Sequence, residues 1–235
     1  MAANNNDAPV ARREAKPDVA AFVEAARKAP ATVAGDRGRL IFALDATMSR
    51  QATWDLAQEL QARMFQAAAG LGGLEVQLVY FRGFNECRAS NFVSGGQGLA
   101  ALMAKIDVRG GTTQIGRVLA HARNEARRAK IGALVFVGDA MEESVDRLAA
   151  TAGELALIGV KAFMFQEGDD PNAARAFKEI ARLTGGAYEK FDAGAARRLE
   201  ALLRAAAAYA AGGRAGLEAQ ALKDDAARLL LAQMR

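Results

Sequence analysis

The sequence predicts an α/β fold: a doubly wound, mostly parallel sheet with one antiparallel edge strand and helices on both faces. Three observations carry that prediction. Two short runs, Leu40–Leu44 and Ile131–Val137, are apolar throughout, as strands covered on both faces are. Each run ends in polar residues and gives way to helical periodicity, so strands and helices alternate. Leu74–Phe81 and Glu86–Val93 are joined only by Arg82-Gly83-Phe84-Asn85, too short a link for parallel neighbours, so this pair is antiparallel.

Composition sets the bounds. A chain of 235 residues, 51% of them hydrophobic, is long enough for one such domain with extensions. Lys and Arg number 31 against 27 Asp and Glu, a formal charge of +4, which describes a mixed solvated surface rather than a nucleic-acid stripe. The single cysteine, Cys87, excludes an internal disulfide and a cysteine-built zinc cluster. The only histidine, His121, excludes a His-rich metal site and reads as surface or core. No stretch has the length and apolarity of a membrane span, and MAANNNDAPVARREAKPD lacks the apolar core of a signal peptide. The expectation is a cytoplasmic protein that binds neither membrane nor nucleic acid.

Taken in order, residues 1–38 form an N-terminal extension. Its Asn-rich start is expected to be disordered. A helix opens at Pro17-Asp18, carries Val19, Phe22, Val23 and Ala26 at helical spacing, and stops at Pro30. Residues 39–211 hold the α/β domain. After the first strand a helix runs from about Gln51 to Ala69, and Gly70-Leu71-Gly72-Gly73 breaks it. The antiparallel pair follows, then a short helix through Leu99, Leu102, Met103 and Ile106. A glycine-rich loop, Asp107–Gly116, enters a helix with Ile115, Val118, Leu119 and Ala122 inward. After Ile131–Val137, Met141-Glu142-Glu143 lead into a helix ending near Leu157. Val160–Phe165 is the next strand, Pro171 starts a helix that stops near Thr184-Gly185-Gly186, and Ala187–Lys190 is the last strand. An alanine-rich helix, Ala195–Ala211, ends the domain. Residues 212–235 are a glycine hinge and one helix, Leu217–Met234, with Leu222, Leu229 and Leu230 among its apolar residues. It is expected to pack on its own domain rather than on a partner.

The chemistry concentrates where the apolar strands end. Asp45, Thr47 and Ser49 stand at alternate positions just past Leu44. Ligands of open α/β sheets bind beyond the carboxyl ends of the strands. These three side chains offer hard oxygen donors of the kind magnesium, calcium or manganese prefers. Alone they are equally the polar end of a strand and the cap of the next helix. Asp139 is a second carboxylate at the end of a buried strand. Thr112 and Thr113 put hydroxyls at the start of the helix after the glycine-rich loop, which lacks the lysine and the glycine spacing of a phosphate-binding loop.

Taken together, the Asp-x-Thr-x-Ser of Asp45–Ser49, the Gly110-Gly111-Thr112 loop and the strand-end Asp139 resemble the von Willebrand factor type A domain and its metal-ion-dependent adhesion site. The resemblance spans about Arg39 to Ala211. Thr47 stands where the family usually has serine, and Gly138-Asp139-Ala140 where it commonly has Thr-Asp-Gly. The middle threonine is Thr113 if the T-x-I-G entry of Thr113–Gly116 is followed, Thr112 if adjacency to the glycines decides. The resemblance implies a Rossmann-like fold, a metal site made of Asp45, Thr47, Ser49, Thr113 and Asp139, and a place in a bacterial intracellular complex as an adaptor.

A magnesium ion wants six oxygens in octahedral geometry and keeps several waters. Two serine or threonine hydroxyls and one or two carboxylates, partly through water, under-fill that shell, with manganese or calcium as the other candidate ions. The open position suits an Asp or Glu presented by a partner protein, with Met48 and Met141 as an apolar rim. No general base or nucleophile pair accompanies these residues, so binding rather than catalysis is expected. A phosphoaspartyl hydrolase would need a second aspartate where Thr47 stands. The alternative is a scaffold with an empty, degenerate site that binds through its terminal helices. The oligomeric state is left open by the sequence.

Overall fold

The computed structural model describes residues 11–12, 38–47, 74–94, 101, 103–192 and 196–234. Seven strands form one sheet: β1 (Ala11–Arg12), β2 (Gly38–Asp45), β3 (Leu74–Arg82), β4 (Glu86–Ser94), β5 (Ala133–Gly138), β6 (Lys161–Glu167) and β7 (Ala187–Phe191). Their spatial order is β1-β4-β3-β2-β5-β6-β7. Every pairing is parallel except β3 with β4. The expected antiparallel strand is there, and on its outer side it pairs with the two-residue β1, opposite Arg88 and Ala89. The expected helices at 17–30 and 51–69 lie outside the described residues, as does most of the short one around Met103.

Five described helices cover the sheet: α1 (Ile115–Ala126), α2 (Val145–Leu157), α3 (Pro171–Thr184), α4 (Ala196–Ala221) and α5 (Asp225–Gln233). The period-two alternation of β2 assigns its side chains to two cores. Leu40, Phe42 and Leu44 join the layer formed with α4 and α5. Ile41 and Ala43 join the layer formed with α1, α2 and α3. Phe42, Phe81, Phe136, Phe163, Phe165 and Phe177 are among the largest fully buried side chains. Each contributes about 1.5–3 kcal/mol relative to exposure. Ile115, Val118, Leu119 and Ala122 are all buried, as the spacing of α1 predicts.

α3 shows how local signals set an element. Pro171 occupies its first turn, and Asp170 accepts from the Asn172 amide at 2.9 Å. Gly185 closes it at φ 62°, the left-handed conformation glycine tolerates. The end of the chain follows expectation in part. The expected glycine hinge is present: Gly213 (φ 61°, ψ −151°) is non-helical and divides α4 into an alanine-rich piece and a second helical piece. The single helix expected over Leu217–Met234 is broken at Leu222-Lys223. Asp224 then caps α5 by accepting from the Ala226 amide at 2.8 Å. Leu217, Ala221, Ala226, Ala227, Leu230 and Met234 all join the core with β2 and Phe191. The C-terminal residues therefore pack on the domain itself, while Leu222 is exposed.

His121 belongs to the core. Its Nε2 lies 2.8 Å from Gln77 Oε1, and Gln77 Nε2 donates to the Ser90 carbonyl. That buried polar chain runs from α1 across β3 to β4, beside the register shift between Gln77 and Val79. No described helix is long and apolar enough to cross a membrane.

Candidate functional site

β2 lies between β3, which follows it in sequence, and β5, which follows later, so the strand order reverses there. The crevice beyond the carboxyl ends of β2 and β5 is the switch point where such sheets bind ligands. Asp45 is the last residue of β2, and Asp139 follows the last residue of β5. By alternation Asp45 shares the face of Ile41 and Ala43, the side that α1 covers. Its Oδ1 accepts from the Thr47 amide at 2.8 Å, an Asx-type turn that starts the loop. Asp45 is 1% exposed, and Thr47 is also buried.

Gly138 is the neighbour that makes room. A Cβ there would stand 2.7 Å from the Phe136 ring and 3.6 Å from the Asp45 Cβ. Phe136 is itself held by stacking on Phe81 and by an edge contact with Phe177. The ring takes the space a threonine side chain at 138 would need, a physical reason for glycine at that departure from the family pattern.

The glycine-rich loop is tied to the same edge. The Ala46 amide donates to the Phe81 carbonyl, and the Arg109 amide to the Ala46 carbonyl. The Thr112 amide donates to the Gly83 carbonyl at 3.2 Å, while a Cβ on Gly111 would stand 2.1 Å from that oxygen. Only glycine allows so close an approach. Arg82 fastens the loop from below: it donates to Glu86 through Nε and Nη2, and to Asp107 through Nη1. Hydrogen bonds from Arg82 and then Arg109 bring the Asp107 carboxyl down to about 2.

Thr113 and Thr112 part company here. Thr113 is buried and faces the loop after β5, whereas Thr112 is exposed. The Glu142 amide donates to Thr113 Oγ1 at 3.0 Å, and the Thr113 amide donates back to Glu142 Oε2. Glu143 reaches the start of α1, where its two oxygens accept from the Ile115 and Gly116 amides. Burial pushes the Glu143 carboxyl up, against the lowering by those two amides and the Thr113 hydroxyl. Both glutamates escape a reading of sequence alone, in which they are only the acidic head of α2. Their one signal is position, directly after Asp139.

Asp45, Thr47, Thr113 and Asp139 are thus brought to one edge of the sheet. Ser49 and Met48 lie outside the described residues. Met141 is half-buried against the α1–α3 core, and its sulfur accepts from the Glu143 amide at 3.2 Å. Asp139 Oδ1 is buried and has no hydrogen-bond partner among the described residues. No three His, Cys, Asp or Glu side chains cluster as a metal cage among the described residues, so any ion here would rest on a mixed hydroxyl and carboxylate set. A cleft of about 860 Å³ opens at the opposite edge between Gly38, Lys130, Ile158 and Gly213. Arg39 and Glu75 in its wall pair with each other.

No protein-family model matches the chain, and no curated protein matches it by sequence. Solved structures do match. A von Willebrand factor type A protein from Catenulispora acidiphila is similar at 16% identity and a TM-score of 0.57, over 73% of this chain and 43% of that one. The chain therefore spans less than half the length of that protein. An aerotolerance-related membrane protein from Bacteroides fragilis is similar at 17% identity and 0.55, over 72% of this chain and 98% of that one. The pilus adhesin SpaC from Lactobacillus rhamnosus is similar at 14% identity and 0.56, over 75% and 31%. The fold is that of the von Willebrand factor type A domain.

Proposed function

We propose that the chain is a metal-ion-dependent protein-binding module, an adaptor in a bacterial intracellular complex. Asp45, Thr47, Thr113 and Asp139, with Ser49 from the same motif, would hold a magnesium ion, or manganese or calcium in its place. The ion supplies an open oxygen coordination position for an Asp or Glu of a partner protein. The observation that carries this reading is the buried Asp139 Oδ1, lacking a hydrogen-bond partner among the described residues, on the residue after Gly138, whose Cβ would stand 3.6 Å from the Asp45 Cβ. A buried polar atom of that kind is costly unless something pairs with it, and a hard cation is a fitting partner.

The site is read as one for binding, not catalysis. The chain's thiol and imidazole are both committed elsewhere: burial pushes Cys87 up to about 12, and His121 bonds Gln77 inside the core. The reading in which the terminal helices do the binding has less support at the C-terminal end, where Leu217, Leu230 and Met234 are spent in the core and Leu222 and Leu229 are the exposed leucines. Thermal melts test the proposal. Magnesium or manganese added to chelator-treated protein should raise the melting temperature through preferential binding to the folded state. Asp45→Ala should remove that rise, and an equal rise in the variant would place the ion elsewhere.

A further inference from the structure

The tip of the β3–β4 turn carries a feature that the metal-binding residues do not account for. Phe84 is 75% exposed. It stands in a turn that is held rather than loose. Gly83 takes a left-handed φ of 60°, and its carbonyl accepts from the Thr112 amide and from Gln114 Nε2. On the other side of Phe84, Arg117 Nη1 donates to the Asn85 carbonyl at 2.9 Å. The backbone on both sides of a large exposed apolar ring is therefore held by polar bonds. A turn ordered in advance loses little further backbone entropy on binding, and buried aromatics dominate interface energies.

The turn adjoins the candidate metal centre. Thr112 N lies 3.2 Å from the Gly83 carbonyl, and Thr113 is the next residue. Phe84 and Thr113 are accordingly within about 10 Å, the span of roughly three extended residues. Around the turn Arg82 is paired with Glu86 and Asp107, and Arg109 with Asp107, and Glu142 and Glu143 lie on the Thr113, Ile115 and Gly116 amides, so the acidic side of the partner follows from the metal-dependent reading alone.

We propose that Phe84 is the apolar anchor of partner recognition. It would contact an apolar side chain that follows or precedes the partner's carboxylate by about three residues. The partner class is thus an acidic protein segment with an apolar residue close to its Asp or Glu. This rests on the metal-dependent reading above, and it adds the residue that sets specificity.

A random-peptide display library, panned on the full chain in magnesium, tests it. Enriched peptides should share an acidic residue and a nearby apolar one. As synthetic peptides in a fluorescence-polarisation titration, they should lose about tenfold in affinity or more on Phe84→Ser. Phe84→Leu should recover most of that loss, and both variants should melt as wild type does, since the ring is exposed. Chelation and Asp45→Ala should also abolish binding. Peptides that need the ion and Asp45 yet bind Phe84→Ser equally well would overturn the role of Phe84 and leave the metal reading standing. Peptides that need Phe84 but ignore both chelator and Asp45→Ala would overturn the metal reading. Failure to enrich any sequence over a blank surface would overturn both.

Discussion

Thr113 and Thr112 differ in what they hold, and substitution separates them. The Thr113 hydroxyl accepts from the Glu142 amide, while the Thr112 side chain is exposed. Thr113→Val should destabilise the metal-free chain by about 1 kcal/mol or more, since a buried amide is left without its acceptor. The same change in Thr112 should cost a few tenths at most. Urea titrations in chelator measure both, and equal costs would contradict the assignment of Thr113 as the inward hydroxyl. Asp139 behaves oppositely. Its Oδ1 has no hydrogen-bond partner among the described residues, so Asp139→Asn should leave the metal-free melting temperature no lower than wild type. The ion-induced rise should shrink in that variant. Strong destabilisation of the metal-free chain by Asp139→Asn would mark a structural acceptor instead. Thr113 is legible in the sequence from the T-x-I-G entry to a helix. Glu142 and Glu143 are not, because their role depends on bonds to residues 27 to 29 positions away. No local pattern encodes that span.

Among the elements, the loop from Asp107 to Gln114 owes its position to Arg82. The guanidinium is nearly buried, and its bonds to Asp107 tie the loop to the end of β3. Asp107 is depressed from its ordinary value near 3.8 to about 2. A depressed carboxyl stabilises the fold above its ordinary value, and that contribution is lost as pH falls from there through about 2. The side chain is 64% exposed, so solvent screening keeps the effect small. Asp107→Asn should flatten part of the acid limb of stability between those values. Denaturation midpoints along a pH series measure it, and an unchanged limb would show that Arg82 holds the loop through the Asp107 carbonyl alone. Legibility follows the same logic at this scale. α3 could be read to the residue because Pro171 and Gly185 punctuate it within the chain. The break between α4 and α5 could not, because no proline or glycine marks Leu222-Lys223. The Leu217–Met234 segment keeps an amphipathic pattern across the gap, and Asp224 becomes a cap only once the chain turns there.

In the whole molecule, the sheet separates two kinds of work. Its carboxyl edge gathers the candidate site, facing α1. Its other face is closed by α4 and α5, whose Leu217, Ala227 and Leu230 are fully buried. α5 also guards the outer edge of β7. Gln233 Oε1 accepts from the Tyr188 amide at 3.0 Å, satisfying one backbone donor of that edge, and Gln233 Nε2 donates to the Glu189 side-chain Oε1. Removing α5 would thus open a core and expose a strand edge together, a poor way to ask whether it binds a partner. A single cavity asks more cleanly. Leu230→Ala should cost about 2–5 kcal/mol. Leu230 sits in the layer of α4 and α5, whereas Asp45 points to the layer of α1, and the two share no contact described in either core. Substitutions so placed should be additive to within about 0.5 kcal/mol. Magnesium should then raise the stability of Leu230→Ala by as much as it raises wild type, and Asp45→Ala should remove the rise equally in both backgrounds. The measurement is a four-protein cycle of urea denaturation with and without magnesium. Loss of the ion response in Leu230→Ala alone would mean that the terminal helices are coupled through the sheet to the carboxyl edge, and that the two layers do not act independently.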